Sequence, residues 1–198
     1  MSTARRTALA ARLRRVRLLL LDVDGVMTDG RLFYVPGPDG AMVETKGFDT
    51  QDGVGLIWAH EAGLVTGLIS GRDSPAVVAR AEMLRFTYVY QGRLAKVASY
   101  EEILAKAGVT DEQAAFVGDD LTDAAVMVRA GLAVAVQNAR PEVKRIAHYV
   151  TRQPGGHGAV REVVELLLQA QGKWAGILEK YGLARARHRA PSGHPSPL

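Results

Sequence analysis

The chain has 198 residues, 47% of them hydrophobic, with no cysteine and a formal net charge of +4. That length gives one domain with a real core. The lack of cysteine excludes disulfides and thiolate metal sites and points to a reducing cytoplasm, and no apolar stretch reaches the roughly 20 residues that a bilayer span requires. The positive charge sits at the ends: six arginines lie in residues 1–17 and three more after Gly182, with no acid in either segment. Without them 16 basic and 21 acidic residues remain, a body charge of −5. No aromatic residues interleave with the terminal arginines, so the ends read as solubilising rather than as a nucleic-acid interface. The start also lacks the apolar core of a secretory signal, and no membrane insertion is expected.

In chain order, a basic arm over residues 1–16 precedes a strand over Arg17–Leu21. A hairpin follows, Leu32–Val35 and Ala41–Thr45, closed by the turn cluster Pro36-Gly37-Pro38-Asp39-Gly40. A helix over Gln51–Ala62 stops at Gly63, and a strand covers Leu64–Ile69. The next helix opens near Ser74 with Pro75 in its first turn, where a missing amide is harmless. Then come a short strand Thr87–Tyr90, a helix Leu94–Ala107, a strand Ala114–Val117, a helix Leu121–Ala130 and a strand Leu132–Val136. A helix after Pro141, a short strand near His148–Val150 and a helix over Gly158–Gln169 close a body spanning residues 17–171. Residues 172–198 read as a tail, with a short helix over Lys173–Tyr181 and then a disordered end rich in proline. The alternation of strands and helices predicts an α/β fold, a Rossmann-like, three-layer arrangement around a parallel sheet.

In such a sheet, ligands gather beyond the carboxyl ends of the strands. Asp22 and Asp24 follow the first strand, Ser70-Gly71-Arg72 the second and Gly118-Asp119-Asp120 the fourth, while Lys96 lies near the start of a helix. Residues two apart on a strand share a side, so Asp22 and Asp24 project together. Two like charges about 4 Å apart repel by about 4 kcal/mol at an effective dielectric near 20. Such a pair needs a cation, a shared proton or a reaction to offset it. A carboxylate set without histidine or cysteine is a hard oxygen site that suits Mg²⁺ better than zinc. The Ser70 hydroxyl, the Gly71 amide and the Lys96 ammonium suit phosphate, with Arg93 a rival to Lys96. The pattern predicts phosphoryl transfer in which Asp22 is the nucleophile and Asp24 first the acid and then the base. That reversal needs the Asp24 side chain off the metal while Asp22 and Asp119 hold it. Asp120 and Asp123 both remain open for the supporting acid, Asp123 lying one helical turn further on. No cap domain fits between these blocks, so the hairpin around Pro36–Gly40 and a partner subunit are the available covers against water.

The four blocks, in this order, resemble the motifs of the haloacid dehalogenase-like phosphohydrolases. Asp22-Val23-Asp24-Gly25-Val26-Met27-Thr28 looks like the first, Ser70 and Lys96 like the second and third, and Gly118-Asp119-Asp120 with Asp123 like the fourth. The resemblance implies the capless form of that fold with a hairpin flap, and Mg²⁺ held by Asp22, Asp119 and the Asp24 carbonyl. A closer match within the family runs from Leu18 to Lys173. It is carried by Asp22–Gly30, Asp52-Gly53-Val54-Gly55, Ser70-Gly71-Arg72, Tyr90-Gln91-Gly92, Tyr149-Val150-Thr151-Arg152 and the run from Gly155 to Glu162. It implies a small sugar-acid phosphate as substrate, an eight-carbon acid of lipopolysaccharide ahead of a nine-carbon one. It also implies a homotetramer whose neighbouring subunits complete each pocket. Phe48, Asp49, Arg72, Arg152 and His157 are then expected near the substrate; Gln51 and His157 stand where arginine is common. A rival from another class is a receiver domain phosphorylated on aspartate, but its acids and acceptor lie on different strands, unlike Asp22-Val23-Asp24. An inactive, assembly-only protein is the other rival.

Overall fold

The computed structural model describes residues 3–183. Strand β1, Leu18–Leu21, lies at the centre of a six-stranded sheet, and its four leucines are fully buried. A central parallel strand is covered on both faces, which is why an unbroken apolar run folds there. On one side β1 pairs in parallel with β4 (Val65–Ile69), which is followed outward by β5 (Tyr88–Tyr90). On the other side lie β6 (Ala114–Gly118), β7 (Leu132–Ala135) and β8 (Tyr149–Val150), again all parallel. The strand order is β5-β4-β1-β6-β7-β8. Strands β2 (Phe33–Pro36) and β3 (Met42–Thr45) form a separate antiparallel hairpin.

The chain thus winds outward from β1 to β5, then returns to lay β6 against the other side of β1. Helices α2 (Thr50–Glu61) and α3 (Pro75–Met83) make the outward connections. Helix α4 (Lys96–Ala107) carries the chain back, and α5 (Ala124–Arg129) and α6 (Pro141–Ile146) follow it. Right-handed crossovers put these two groups on opposite faces of the sheet. Helix α7 (Ala159–Ala170) packs along α2, and α1 (Thr3–Arg15) packs against α7. The reversal opens a crevice between the carboxyl ends of β1 and β6, where an open α/β sheet binds its ligands.

Most predicted elements are present with ends shifted by one or two residues, and three differences are informative. The stretch expected as a basic arm is α1, docked through buried Leu13 and a hydrogen bond from Arg12 Nη1 to Gly131 O. The helix expected from Leu121 opens instead as a 3₁₀ turn, Leu121–Asp123, ahead of α5. Asp120 and Asp123 form a capping box there, and the tight turn holds both carboxylates at the end of β6. The short helix near the end, α8 (Trp174–Lys180), is anchored on α2: Trp58 meets the Trp174 ring at 5.5 Å and donates to the Tyr181 hydroxyl at 3.1 Å. The disordered tail expected beyond it lies outside the described residues.

Asp52, in the first turn of α2, is buried and accepts from the Arg161 amide at 2.7 Å, with the Gly158 and Val160 amides adding to its stabilisation. It therefore satisfies donors at the start of α7 that have no partner within their own helix. Burial nevertheless pushes its carboxyl up to about 6. Asp52→Ala is expected to cost about 1–3 kcal/mol, the penalty for stranding buried donors. Asp52→Asn, which keeps an acceptor, is expected to cost less. Urea denaturation of both variants checks this; equal losses would show that side-chain volume rather than capping matters.

Candidate active site

The loop after β1 is shaped by what crowds it. Gly25 has φ +93°, and a Cβ there would lie 2.2 Å from Asp119 Oδ2. Only glycine lets the two loops close over the crevice. Buried Thr28 ties the turn by accepting from the Gly25 and Gly30 amides. A second loop braces it: Asn138 donates to Gly25 O at 3.3 Å and accepts from Gly155 N at 2.7 Å, and Gly156 N donates to Val26 O at 3.0 Å. A Cβ on Gly155 would collide with Gly25 O, so this glycine serves close backbone contact.

Three carboxylates, Asp22, Asp119 and Asp123, bring oxygens within 4.8 Å of one another. One ammonium sits among them: Lys96 Nζ donates to Asp22 Oδ1 at 2.6 Å and to Asp123 Oδ1 at 2.7 Å. Lys96 is 3% exposed and lines the crevice, while Arg93 is exposed and does not. Asp123 Oδ2 also accepts from the Asp119 and Asp120 amides, so both of its oxygens are engaged. Asp119 Oδ1, by contrast, is buried without a partner. Burial, then Asp123, raises Asp22 to about 6 despite Lys96; burial, then Asp22 and Asp123, raises Asp119 to about 8. Burial alone would lower the Lys96 pKa, but the two aspartates outweigh it and raise it. Three acids against one base leave the crevice short of positive charge. The orphaned Asp119 oxygen and this deficit fit a hard divalent cation such as Mg²⁺.

Asp24 lies outside that set. Its Oδ1 contacts Lys46 Nζ, and its Oδ2 lies 4.0 Å from Arg72 Nε. Both bases also pair with Glu44 of β3, Lys46 at 3.1 Å. Glu44 is lowered by its Arg72 hydrogen bond, opposed by burial and helped by Lys46. The hairpin is therefore clasped to Asp24 by alternating charges.

A pocket of about 210 Å³ joins Asp22, Asp24, Ser70, Gly71, Arg72, Lys96, Asp119 and Asp120, with Asp123 buried beneath it. Ser70 Oγ accepts from the Arg72 amide at 3.2 Å, leaving its own proton to donate. Four residues expected near the substrate are not in this pocket within one chain. Phe48 packs under the Arg80 guanidinium, and Asp49 caps α2 by accepting from the Gln51 and Asp52 amides. Arg152 and His157 line a separate cavity with Gln51. Of the two acids left open, Asp123 faces Lys96, while Asp120 accepts from the Leu121 amide as a cap. Sequence reasoning passed over Lys46, Glu44 and Asn138. Glu44 and Lys46 carried a usable signal: opposite charges two apart on a strand share a face.

The family profile of the haloacid dehalogenase-like hydrolases matches residues 81–163. The 3-deoxy-D-manno-octulosonate 8-phosphate phosphatase KdsC of Escherichia coli strain K12 is 44% identical over 163 residues, 82% of this chain and 85% of that protein. The chain belongs to the haloacid dehalogenase-like hydrolases. The crystal structure of the same phosphatase from Yersinia pestis superposes with a TM-score of 0.81 at 43% identity, covering 85% of this chain and 89% of that one. The Moraxella catarrhalis phosphatase, solved in complex with magnesium, phosphate and KDO, gives a TM-score of 0.83 at 33% identity, covering 87% and 97%. Within the hydrolase family the chain groups with these phosphatases, and its Asp22, Asp119 and Asp123 oxygens lie close enough together to hold a metal ion.

The raised carboxyls set a pH dependence. A carboxylate whose folded pKa is raised binds protons more tightly folded than unfolded, so the metal-free protein loses stability as pH rises from about 4 towards 8. The protons leave the cluster jointly rather than residue by residue, and Mg²⁺ competes with them. The rise in melting temperature on adding Mg²⁺ is therefore expected to be larger at pH 8 than at pH 6 and to vanish in Asp119→Asn. Thermal scans check it; an increment independent of pH would place the ion elsewhere.

Proposed function

We propose that this protein is a Mg²⁺-dependent phosphomonoesterase that hydrolyses 3-deoxy-D-manno-octulosonate 8-phosphate to the free sugar acid and inorganic phosphate. The observation that carries the reading is the division of the neighbouring aspartates: Asp22 in the charge-deficient cluster, Asp24 beside Lys46 and Arg72. An Asp22 oxygen attacks phosphorus as the bond to the sugar oxygen breaks, giving an aspartyl phosphate. Asp24 gives its proton to the departing alkoxide, then takes one from the water that hydrolyses the acyl phosphate. Ser70, the Gly71 amide and Lys96 hold the phosphoryl oxygens in line, since positioning and charge dominate phosphoryl transfer. We assign the metal to Asp22, Asp119 and the Asp24 carbonyl, where it neutralises phosphoryl charge when bound. Asp123, with both oxygens engaged, orients Lys96 and the Asp119 amide.

The hairpin supports a second part of the reading. Phe33, Tyr34, Val35, Met42 and Val43 are 44–61% exposed on it; Phe33, Val35 and Val43 share one face and Tyr34 and Met42 the other, and apolar surface exposed on both faces suits burial by a neighbouring subunit. A homotetramer would cover the hairpin and bring a neighbour's residues, Arg152 and His157 among them, towards each 210 Å³ pocket. No described helix is long and apolar enough to cross a membrane, and the absence of cysteine suits a reducing cytoplasm.

Phosphate release from a panel of sugar-acid phosphates tests the function. Turnover is expected to favour the octulosonate 8-phosphate, to stop in EDTA and to fall about 10²–10⁴-fold in Asp24→Asn. Preference for a nonulosonate 9-phosphate would overturn the substrate, and stable phosphorylation without turnover would favour a receiver. Specific activity is expected to fall on dilution to monomers; a fully active monomer would remove the tetramer from the account.

A further inference from the structure

Towards the amino ends of β7 and β8, away from the carboxylate crevice, α1, α6 and β8 enclose a cavity of about 520 Å³. Arg5, Arg12, Lys144 and His148 line it, and no carboxylate is among the described residues that line it. Two of these cations, Arg5 and Arg12, come from the arginine-rich first segment, and Lys144 and His148 come from the body. Arg5 and Arg12 are seven apart and share one face of α1, while Lys144 reaches the same space from α6. Arg12 is half-buried and fixed by Gly131 O. His148 Nδ1 accepts from the Ala133 amide at 2.9 Å, so the neutral ring carries its proton on Nε2 and is a donor there. Burial and then Arg12 lower the pKa of His148, a cost that an anion would relieve. Leu9 and Val150 add apolar surface to the same cavity.

We propose that this cavity binds a small organic polyanion with an apolar body, of the nucleoside polyphosphate class. The volume falls within the roughly 300–1,000 Å³ of small-molecule sites. The cations converge on a concavity from two helices and the sheet edge, whereas a polymer would be met by a convex basic face. Inorganic phosphate would answer the charges and leave Leu9 and Val150 uncovered. The site shares no residue with the phosphatase pocket.

Equilibrium titration of the full-length protein with ATP in excess Mg²⁺ tests the proposal. ATP is expected to bind more tightly than inorganic triphosphate or adenosine, and equally to wild type and Asp22→Asn. Arg5→Ala with Lys144→Ala is expected to weaken ATP at least about tenfold through lost charge-assisted hydrogen bonds, with sugar phosphate turnover unchanged. ATP is also expected to raise the His148 pKa followed by its ring proton resonances. Unchanged ATP affinity in the double variant, loss of binding in Asp22→Asn, inorganic triphosphate binding as tightly as ATP, or a preference for duplex DNA or anionic vesicles would each overturn it.

Discussion

The buried ammonium of Lys96, shared between Asp22 and Asp123, is the interaction on which the site depends. One base holds two carboxylates in place, but a third, Asp119, comes within 4.8 Å of them. Removing one partner from such a buried set leaves uncompensated charge, which costs about 3–5 kcal/mol. A divalent ion at the orphaned Asp119 oxygen would complete the arrangement. Beside it, Asp24 and Glu44 meet Lys46 and Arg72 in a balanced group of two acids and two bases. Charge is therefore short in the crevice to which we assign the metal and phosphoryl group, and matched around Asp24, to which we assign the proton transfers. That contrast, set by which side of the crevice each residue faces, is what separates the roles we assign to Asp22 and Asp24.

The scaffold follows from the same place. Four buried leucines drive β1 into the middle of the sheet, and the reversal of winding beside it opens the crevice. Gly25 and Gly155 let three loops meet at van der Waals distance. Asn138 pins two of them through its amide.

The sheet and the residues at its carboxyl edge were legible in the sequence because apolar runs, turn residues and carboxylates coincide there. Asp22, Asp24, Ser70, Lys96 and Asp119 each follow a strand or lie at the start of a helix, so spacing placed them. That Asp123 rather than Asp120 pairs with Lys96 was not legible: it depends on a 3₁₀ turn whose capping box only the fold displays. Lys46 was passed over because a lysine after a hairpin reads as a solvated residue, whereas tertiary contact with Asp24 buries it. Phe48 and Asp49, which follow the hairpin, and Arg152 and His157, which the resemblance placed near the substrate, turn to cap α2, pack on Arg80 or line another cavity. Neither a place in the sequence nor a shared motif gives side-chain direction across a loop.

The most direct test of the central claim is a crystal structure with Mg²⁺ and beryllium fluoride. The account predicts an ion held by Asp22 and Asp119 at the short distances, about 2.0–2.1 Å, that Mg²⁺ demands. It also predicts the phosphoryl mimic joined to the Asp22 carboxylate, with Lys96 and Ser70 on its oxygens. A mimic bound to Asp24 or Asp120, or an ion lying outside the Asp22–Asp119 pair, would contradict it.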